Sequence, residues 1–530
     1  MASTLLIQGI IALIGFIVYR QVFRKSNKKL PPGPKGLPLV GNVLDLPPSD
    51  TPDHEFWMKL NDKYGPISSI TVLGQTMVFL HDREAVYELL EKRSLKTSNR
   101  PVIEFANYSG FGKLISLLQL DTPFKQQRKF MHQALGTKSL SAKFADIQQL
   151  EARRLLLRAL EEPDNMVEHI NKEAAGIILK MVYDYTIEPR KPDPLVDLID
   201  HMMANAILSS VPFYYLIEFI PSLKHLPDWF PGTGFKKIAK TFRKEIRDAL
   251  TIPFEFSRKL MTTQNRMKSY VATMLQGNSD AGEELSAEDL SNIRYSALAL
   301  YGGGADTTVT TLVVFILAMI KFPGAQRRAQ EEIDRVTGGT RLPTLEDKDN
   351  MPFVEAVVWE ALRWWPILPT GVPHALSEDM TYNGYDLPKG TYIFPGIWYM
   401  THDPKVYSDP DSFDPARFLA PRNELDPRGE TFGYGRRVCP GRYFADTSLF
   451  LAIAHLLTVF NFEKKKDEQG NVMEPNPGFQ KGAVSKPTPF PYKVVPRSEK
   501  HVEMIRSIEE DHPWEESDGQ VISEALAAAQ

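Results

Sequence analysis

Residues 432–441 read Phe432-Gly433-Tyr434-Gly435-Arg436-Arg437-Val438-Cys439-Pro440-Gly441 and hold the one cysteine of the 530-residue chain. An apolar run at 443–459 follows, and its three- and four-residue spacing predicts a helix. Gly435 gives freedom for a tight turn, Pro440 suits a first helical turn, and Gly441 allows a flat ligand to approach closely. A sulfur just before a helix faces the positive end of the helix dipole, which favours the thiolate over the thiol. A lone cysteine is otherwise most often a small buried hydrophobe, so its neighbours decide the interpretation.

A second unusual segment lies inside an apolar run at 287–321, where Tyr301 is followed by three glycines and then by Ala305-Asp306-Thr307-Thr308. Three consecutive glycines cost a helix about 2–3 kcal/mol relative to alanine, so a compensating gain is expected. A glycine-loosened turn can bow outward and leave a pocket for a small ligand, with the acid and the alcohol of Asp306 and Thr307 beside it. A kinked helix with a polar patch is the alternative that this segment alone leaves open.

Glu360-Ala-Leu-Arg363 places an acid and a base three residues apart in a predicted helix at 352–364, so the two side chains share one face. Many helices carry such a pair, and alone it indicates only a modest gain in stability. The pair lies 76 residues before Cys439, with Phe413-Asp-Pro-Ala-Arg417-Phe418 between them.

Together these segments resemble the ordered signatures of the cytochrome P-450 superfamily. Residues 432–441 fit F-x-x-G-x-R-x-C-x-G at every fixed position, 360–363 fit E-x-x-R, 413–418 are similar to the P-x-R-F region, and 303–308 fit [AG]-G-x-[DE]-T-[TS]. The resemblance covers about residues 30–497 and is closest in wording to microsomal, fungal-type members. It implies the cytochrome P-450 fold, with a single catalytic domain behind an N-terminal transmembrane helix.

The periodicity of the chain also predicts a mostly α fold with minor β. Two short strands are expected at 66–70 and 75–80. Helices are expected at 83–93, 140–160, 168–185, 192–209, 235–275, 287–321, 325–336, 352–364 and 443–459.

The resemblance implies haem b, iron protoporphyrin IX, as cofactor, with Cys439 as the metal ligand on its proximal side. A thiolate ligand pushes electron density onto iron and favours O–O cleavage. Around it the resemblance assigns cofactor-binding roles to Phe432, which would shield the sulfur, to Arg437, which would pair with a propionate, and to Gly441.

Two weaker matches concern the haem propionates. Phe124-Lys-Gln-Gln-Arg128 follows the family's W-x-x-x-R spacing with Phe124 in place of tryptophan, so the indole N–H is lost while Arg128 keeps its implied role. His374 falls where many relatives place a propionate-binding arginine or histidine. A surface histidine is the alternative for this position.

Glu360, Arg363 and Arg417 would form a structural triad that locks the loop on the haem side. The loss of any of them should abolish haem incorporation rather than slow one step.

The match at Asp306 and Thr307, an acid followed by an alcohol, implies catalysis with O2 as cosubstrate. Thr307 would hydrogen-bond the oxygen species and Asp306 would gate protons, because a hydroxyl fed by a carboxylate can relay them. The implied activity is monooxygenation, the hydroxylation of a lipophilic small molecule such as a terpenoid secondary metabolite. A haem-thiolate isomerase or dehydratase and a non-catalytic, membrane-anchored haem- or sterol-binding protein are the alternatives.

The substrate is expected to be apolar, because the segments that bind substrate in relatives are mostly apolar in this chain. Core packing is the alternative for each residue taken singly. The candidates for substrate binding are Ile103, Phe105, Leu300, Ile367, Leu368, Val372 and Phe479. The aromatic segment around 213–231 is expected to dip into a membrane interface and admit lipophilic molecules.

The N-terminus predicts a single-pass anchor, because residues 3–19 carry no charge and would span about 25 Å as a helix. Basic residues follow in a proline-rich hinge at 20–38, which favours a cytosolic position for the domain at 39–497. The expected location is therefore the endoplasmic reticulum membrane. A cleaved signal peptide is the alternative, but the segment lacks a cationic start and a small-residue cleavage site.

Charge and motif content restrict the partners. A net charge of −4 and a pI near 6.3 give no global basic field, so nucleic acid is not an expected partner. No nucleotide-binding glycine signature follows a strand, so the chain has no evident nucleotide-cofactor domain. The resemblance implies that electrons come from NADPH through a separate cytochrome P-450 reductase, with cytochrome b5 as a second candidate. Lys125, Lys129, Arg436 and Arg442 are candidates for steering that partner. Residues 498–530 carry nine acids against two bases and are expected to form a loosely ordered acidic tail.

Overall fold

A computed structural model describes residues 28–48, 51–212, 214–261, 269–280, 285–480 and 484–529. The expected anchor at 3–19, residues 20–27 of the expected hinge, and Phe213 lie outside the described residues. Contacts between Cα atoms divide the chain into two compact units. The described residues of 1–101, 368–400 and 434–437 form the sheet unit, and those of 102–367, 401–433 and 438–530 form the helical unit.

The sheet unit is built on a four-stranded sheet in the order β1-β2-β6-β3, with β4 and β5 as a separate pair. Leu73 and Gly74 join β1 to β2 with φ angles of 50° and 86°, as in the turns that match the twist of an antiparallel pair. Strand β2 runs parallel to β6, and β6 runs antiparallel to β3. The elements are α1 (Asp53–Tyr64), β1 (Ile67–Val72), β2 (Gln75–Leu80), β3 (His374–Ala375), β4 (Met380–Tyr382), β5 (Tyr385–Leu387), β6 (Tyr392–Pro395) and the helical turns Arg83–Val86, Tyr87–Lys92 and Ser94–Thr97.

The described part of the proline-rich segment, 28–38, is attached to strand β1. The Ser69 amide donates to Pro32 O at 2.8 Å, and the Ser69 hydroxyl donates to Pro31 O at 2.6 Å. Prolines cannot donate backbone hydrogen bonds, so their carbonyls make these contacts while strand residues supply the donors. Residues 31–33 are therefore held on the sheet.

The helical unit is dominated by long helices, with one short antiparallel pair of strands, β7 (Phe460–Glu463) and β8 (Lys493–Pro496). Shorter turns include Glu104–Ser109, Lys138–Ser141, Pro415–Phe418 and Arg428–Thr431. The long helices are α2 (Thr122–Leu135), α3 (Ala145–Glu161), α4 (Met166–Tyr183), α5 (Pro194–Ser209), α6 (Phe235–Leu260), α7 (Tyr270–Asp280), α8 (Ala287–Lys321), α9 (Pro323–Thr337), α10 (Pro352–Trp364), α11 (Arg442–Val459), α12 (Glu499–Asp511) and α13 (Gly519–Ala528).

Helix α8 lies at the centre of the helical unit. A capping box starts it, because the Ser286 hydroxyl accepts from the Asp289 amide at 3.1 Å and the Asp289 carboxylate accepts from the Ser286 amide at 3.2 Å. Its C-terminal half, 308–320, is buried throughout. Within the described residues α8 alone is long and apolar enough to cross a membrane, and 78% of its most apolar window is buried inside the protein, as in the core helix of a soluble domain.

The predicted fold class, mostly α with minor β, is confirmed. Helices α8 and α10 have the predicted bounds, because capping residues and proline mark their ends. The predicted helix at 235–275 is instead two helices: α6 ends at Leu260 and α7 begins at Tyr270. Helices α1 and α2 were not among the predicted ones.

The expectation of a loosely ordered tail at 498–530 is wrong. Helices α12 and α13 occupy this segment, and Ile505, Ile508 and Ile522 are buried. Most of the acids lie on the exposed faces of two amphipathic helices. The net charge of the segment therefore did not indicate whether it is ordered. Between the helices, Trp514 lies under the guanidinium groups of Arg154 and Arg190, each 5.2 Å from its ring centroid.

The C-terminal helices should therefore contribute to stability. Ile505→Ala removes a fully buried side chain and should lower the free energy of unfolding by about 2–4 kcal/mol. The matched control is Val521→Ala on α13, whose side chain is exposed and whose loss should change it by less than about 0.5 kcal/mol. Urea denaturation of both variants checks this, and equal, near-zero changes would show that the segment is not part of the cooperative core.

Candidate cysteine-centred active site

The Cys439 loop is closed by its own backbone. The Cys439 amide donates to Phe432 O at 2.8 Å, and Gly433 turns the chain between them with φ at 76°. Gly441 is the N-cap of α11, and a Cβ added there would meet no atom of a neighbouring segment within 4 Å, so the space beside this residue is open. Because α11 begins at Arg442, Pro440 precedes the helix, and its expected place in the first turn is wrong.

Two opposing effects act on the Cys439 thiol. Removal from water raises its pKa, while the Gly441 backbone N–H at the start of the helix and the Arg128 and Arg442 guanidinium groups lower it. Coordination to a metal deprotonates a thiol outright, so the same groups would support a thiolate once it is metal-bound.

Two cations of the helical unit accompany the sulfur. Arg128 on α2 donates to Val438 O at 2.8 Å, and Arg442 donates to Cys439 O at 3.4 Å. Among the described residues neither has a carboxylate partner. Burial lowers the pKa of Arg128, and Cys439 opposes this effect. A guanidinium whose partners are all uncharged can still donate a charge-assisted hydrogen bond to a ligand carboxylate.

The sheet unit holds a second group of cationic side chains. Arg100 donates to Val372 O at 2.8 Å and to Pro373 O at 2.7 Å, and Arg437 donates to Ser98 O at 2.8 Å. His374 is buried, so it is not the surface histidine that the sequence left as an alternative. Burial first, and the Arg437 charge second, hold the pKa of Arg100 well below its usual range. Arg100 was not a predicted site residue, and its only sequence signal was its place before Pro101.

His374 itself is poorly prepared to bind an anion. Its Nδ1 lies 2.8 Å from Thr97 O, which can only accept, so Nδ1 carries the proton and a neutral ring presents Nε2 as an acceptor. Burial and then the Arg100 charge hold the pKa of His374 well below its usual range. A carboxylate could bind at Nε2 only together with a proton, so Arg100 and Arg437 are the better donors for one.

Each unit contains side chains of the kinds that bind an iron porphyrin. The helical unit offers a sulfur ligand with open space beside Gly441 and a guanidinium, Arg128, for a carboxylate. The sheet unit offers two more guanidiniums, Arg100 and Arg437. No group of three or more His, Cys, Asp or Glu that could hold a bare metal ion occurs in the described chain, so a single sulfur would have to bind a metal already carried by another ligand.

Glu360, Arg363 and Arg417 come together in the helical unit, all without exposed surface. Arg363 donates to both Glu360 oxygens at 2.7 and 2.9 Å, and Arg417 donates to Oε1 at 3.0 Å. The remaining guanidinium N–H groups donate to backbone carbonyls of 401, 408, 409 and 412 and to Glu424 at 2.7 Å. Burial raises the pKa of Glu360, and the two arginines oppose this effect. One carboxylate thus ties α10 to the loop at 401–424.

The three glycines of α8 have two different roles. A Cβ on Gly302 would lie 2.6 Å from Met203 Cε, and one on Gly304 would lie 2.7 Å from Ile178 Cδ1, so these two allow α5 and α4 to pack closely on α8. A Cβ on Gly303 would meet nothing within 4 Å. Helix α8 continues through them without interruption, so the space arises at one glycine rather than from a break in the helix.

Asp306 and Thr307 follow Gly303 by three and four residues and therefore share its open face. The Thr307 hydroxyl donates to Gly303 O at 2.7 Å, and the Asp306 carboxylate pairs with Lys486. Back-bonding of this kind keeps a threonine hydroxyl close to the helix while its lone pairs stay available to a further donor. Lys486 was not a predicted site residue.

The apolar candidates lie in both units. Leu368 and Val372 belong to the sheet unit, and Ile103, Phe105, Leu300, Ile367 and Phe479 belong to the helical unit. Phe479 stacks on Trp365 with ring centroids 4.2 Å apart. Phe105 has no exposed surface and stacks on Tyr215 at 3.6 Å, so in this conformation it is part of an aromatic core rather than a surface that a substrate touches.

Glu218 caps the turn that contains the candidate residue Phe105, a contact that the sequence did not indicate. Its carboxylate accepts from the Glu104 and Phe105 amides at 3.1 and 2.8 Å and so caps the turn Glu104–Ser109. Lys224 adds an ion pair to Glu104 at 3.3 Å. A cap from more than a hundred residues away leaves no local pattern from which to predict it.

The chain is similar in sequence to known proteins along almost its whole length. The sequence model of the family described as Cytochrome P450 matches residues 31–494. Cytochrome P450 monooxygenase CLM2 of Gibberella zeae is 42% identical over 525 residues, 98% of this chain and 99% of the relative. Multifunctional cytochrome P450 monooxygenase af510 of Aspergillus fumigatus is 40% identical over 505 residues, 94% of each chain. O-methylsterigmatocystin oxidoreductase of Aspergillus flavus is 36% identical over 525 residues, 98% of each chain.

The triad yields a direct prediction. Glu360→Ala leaves two buried guanidiniums without their shared carboxylate, a change that costs about 3–5 kcal/mol in comparable buried pairs. The variant should be recovered mostly without haem, as measured by haem content per mole of purified protein. The control is Arg422→Ala, which removes a more exposed arginine from the same loop and should keep the normal haem content. Full haem content in Glu360→Ala would contradict the assigned role.

Proposed function

Because this chain belongs to the cytochrome P450 family and is a monooxygenase, we propose that it hydroxylates a lipophilic small molecule, a secondary metabolite such as a terpenoid. It takes one oxygen atom from O2 and receives electrons from NADPH through a separate reductase. Its N-terminal segment at 3–19 anchors it in the endoplasmic reticulum membrane with the catalytic domain in the cytosol. Cytochrome b5 is a second candidate electron donor.

The observation that carries the proposal is the open face of α8, where Gly303 leaves space beside Asp306 and Thr307. When bound, haem supplies the activation of O2. Cys439 would be its iron ligand, and Phe432 would cover the sulfur. Arg128 and Arg437, together with Arg100, would hold its propionates.

The residues of this chain have the groups that proton delivery needs. The Thr307 hydroxyl already has its hydrogen directed at Gly303 O and lone pairs free for a donor, so it can release one proton while accepting another. The Asp306 carboxylate, one residue away and partly exposed, can take protons from water and pass them to the hydroxyl. Relatives that isomerise or dehydrate without O2 often lack this pair, so its presence favours monooxygenation.

A lipophilic substrate is supported by the surface around 214–230. Tyr214, Phe219, Trp229 and Phe230 are exposed there, and 80% of Trp229 is accessible. Aromatic side chains of this kind favour a membrane–water interface, from which an apolar substrate can enter. The name of one relative, O-methylsterigmatocystin oxidoreductase, refers to a single small molecule, which supports a small-molecule substrate for this chain.

Reductase docking is supported by basic side chains on α2. Lys125 lies on an exposed part of that helix, whereas Arg442 is engaged with Cys439 O and stacks over Tyr443 at 4.5 Å. Lys125 is therefore better placed than Arg442 to attract an acidic partner.

Thr307→Ala tests the proposed reaction. The variant should bind haem and consume NADPH and O2, but product should fall by about 10²-fold while hydrogen peroxide rises, because the proton relay is broken. The matched control is Thr311→Ala, which removes a hydroxyl bonded to Thr307 O at 3.0 Å one turn along α8. Product and hydrogen peroxide are measured in the presence of the reductase and of terpenoids. The terpenoids are those that shift the spin state of the haem iron when they bind.

Wild-type product yield in Thr307→Ala would contradict the relay. Conversion that proceeds equally well under argon would instead identify an isomerase or dehydratase, and no conversion of any kind would favour a binding protein.

A further inference from the structure

Lys486 forms an ion pair with Asp306, the acid of the proposed proton relay. Both side chains are 36% exposed, and an ion pair at this exposure contributes little to folding stability because water and salt screen it. The ion pair does fix the position of the Asp306 carboxylate relative to the segment that carries Lys486.

The backbone of Lys486 belongs to a hairpin formed by 478–480 and 484–488, which we call the C-terminal hairpin. Gln480 N donates to Lys486 O at 2.7 Å, and Thr488 N donates to Gly478 O at 2.8 Å. One side of the hairpin is fixed beside the apolar segment at 365–367, because Ser485 N donates to Ile367 O at 2.8 Å and Trp365 Nε1 donates to Ser485 O at 2.7 Å. The ion pair thus joins this apolar surface to helix α8.

A second carboxylate responds to the same lysine. The pKa of Asp200 on α5 is raised by partial removal from water first and by the Asp306 and Asp197 charges after it, while Lys486 lowers it. The Tyr301 hydroxyl donates to Asp200 Oδ1 at 3.0 Å and fixes that carboxylate on α8. The charge of Lys486 therefore offsets part of the repulsion between Asp200 and Asp306, although its ion pair is with Asp306.

Resting on the function proposed above, we infer that Lys486 is a positioning residue for proton delivery: its ammonium group holds the Asp306 carboxylate beside Thr307 and couples it to the apolar surface of the C-terminal hairpin. Lys486 gains and loses no proton in this role. Protons pass from water to Asp306 and on to the Thr307 hydroxyl. A molecule that displaces the hairpin changes the ion pair, so occupancy of the apolar surface and proton supply are linked.

The tether is tested by hydrogen exchange on the full chain, without any turnover. Lys486→Met and Asp306→Asn should each speed exchange of the amides at 484–488 by about fivefold, because either change removes the attachment to α8. The matched control is Lys493→Met, since Lys493 forms a comparable exposed pair with Glu463 at 3.4 Å. Unchanged exchange in Lys486→Met would overturn the inference.

The role in proton delivery is tested on the haem-loaded protein with reductase, NADPH and a fluorogenic alkoxycoumarin as lipophilic probe. In Lys486→Met, the share of the consumed O2 that ends as hydrogen peroxide should be about as large as in Asp306→Asn. The solvent isotope effect on product formation should also increase. Lys486→Arg should restore most of the wild-type share, because an arginine keeps the charge. The double variant should be no worse than Asp306→Asn alone, because both residues act through one carboxylate.

The outcomes separate the two proposals. A wild-type share of peroxide in Lys486→Met, or a change confined to the affinity for the probe, would overturn the positioning role and leave the monooxygenase function intact. A wild-type protein that consumes no O2 with reductase would contradict the proposed function, and the exchange experiment would still decide whether Lys486 tethers the hairpin.

Discussion

The setting of the Cys439 sulfur is the constraint on which the proposed site depends. Two opposing effects act on the pKa of its thiol: removal from water raises it, and the Gly441 N–H and the Arg128 and Arg442 guanidiniums lower it. Coordination to a metal would remove the thiol proton, and the same N–H and guanidinium groups would then stabilise the negative charge on the sulfur. The loop is therefore suited to a sulfur that serves as a metal ligand.

The rest of the helical unit fixes the parts around that loop. Glu360 binds Arg363 and Arg417 at once, and the remaining N–H groups of these arginines hold carbonyls of the loop at 401–424. One carboxylate therefore stands at the centre of a buried network of charges and dipoles. Helix α8 supplies the opposite kind of feature, an open face at Gly303 bordered by an acid and an alcohol. The Glu360 network depends on the charges of its residues, and the open face at Gly303 depends on the absence of a side chain. Neither feature depends on the length of the helices.

Sequence alone predicted the features that depend on local patterns. The bounds of α8 and α10, the cysteine loop and the Glu360–Arg363 pair were all readable because their signals lie within ten or so neighbouring residues. The features it missed are contacts between distant segments: Glu218 capping the turn at Glu104, Lys486 pairing with Asp306, and Arg100 bonding to Val372 O. The tail at 498–530 was misjudged because net charge was weighed above the spacing of its isoleucines. The sequence also provides no measure of how strongly the Cys439 thiol is removed from water, an effect that opposes the helix dipole.

The central claim is that the Cys439 sulfur is the protein ligand of haem iron, and the reduced carbon monoxide difference spectrum of the full-length protein tests it most directly. The account predicts the red-shifted Soret band of thiolate ligation in the wild type and its loss in Cys439→His, with the haem retained or released. A wild-type spectrum typical of imidazole ligation, or a red-shifted band that survives in Cys439→His, would contradict it.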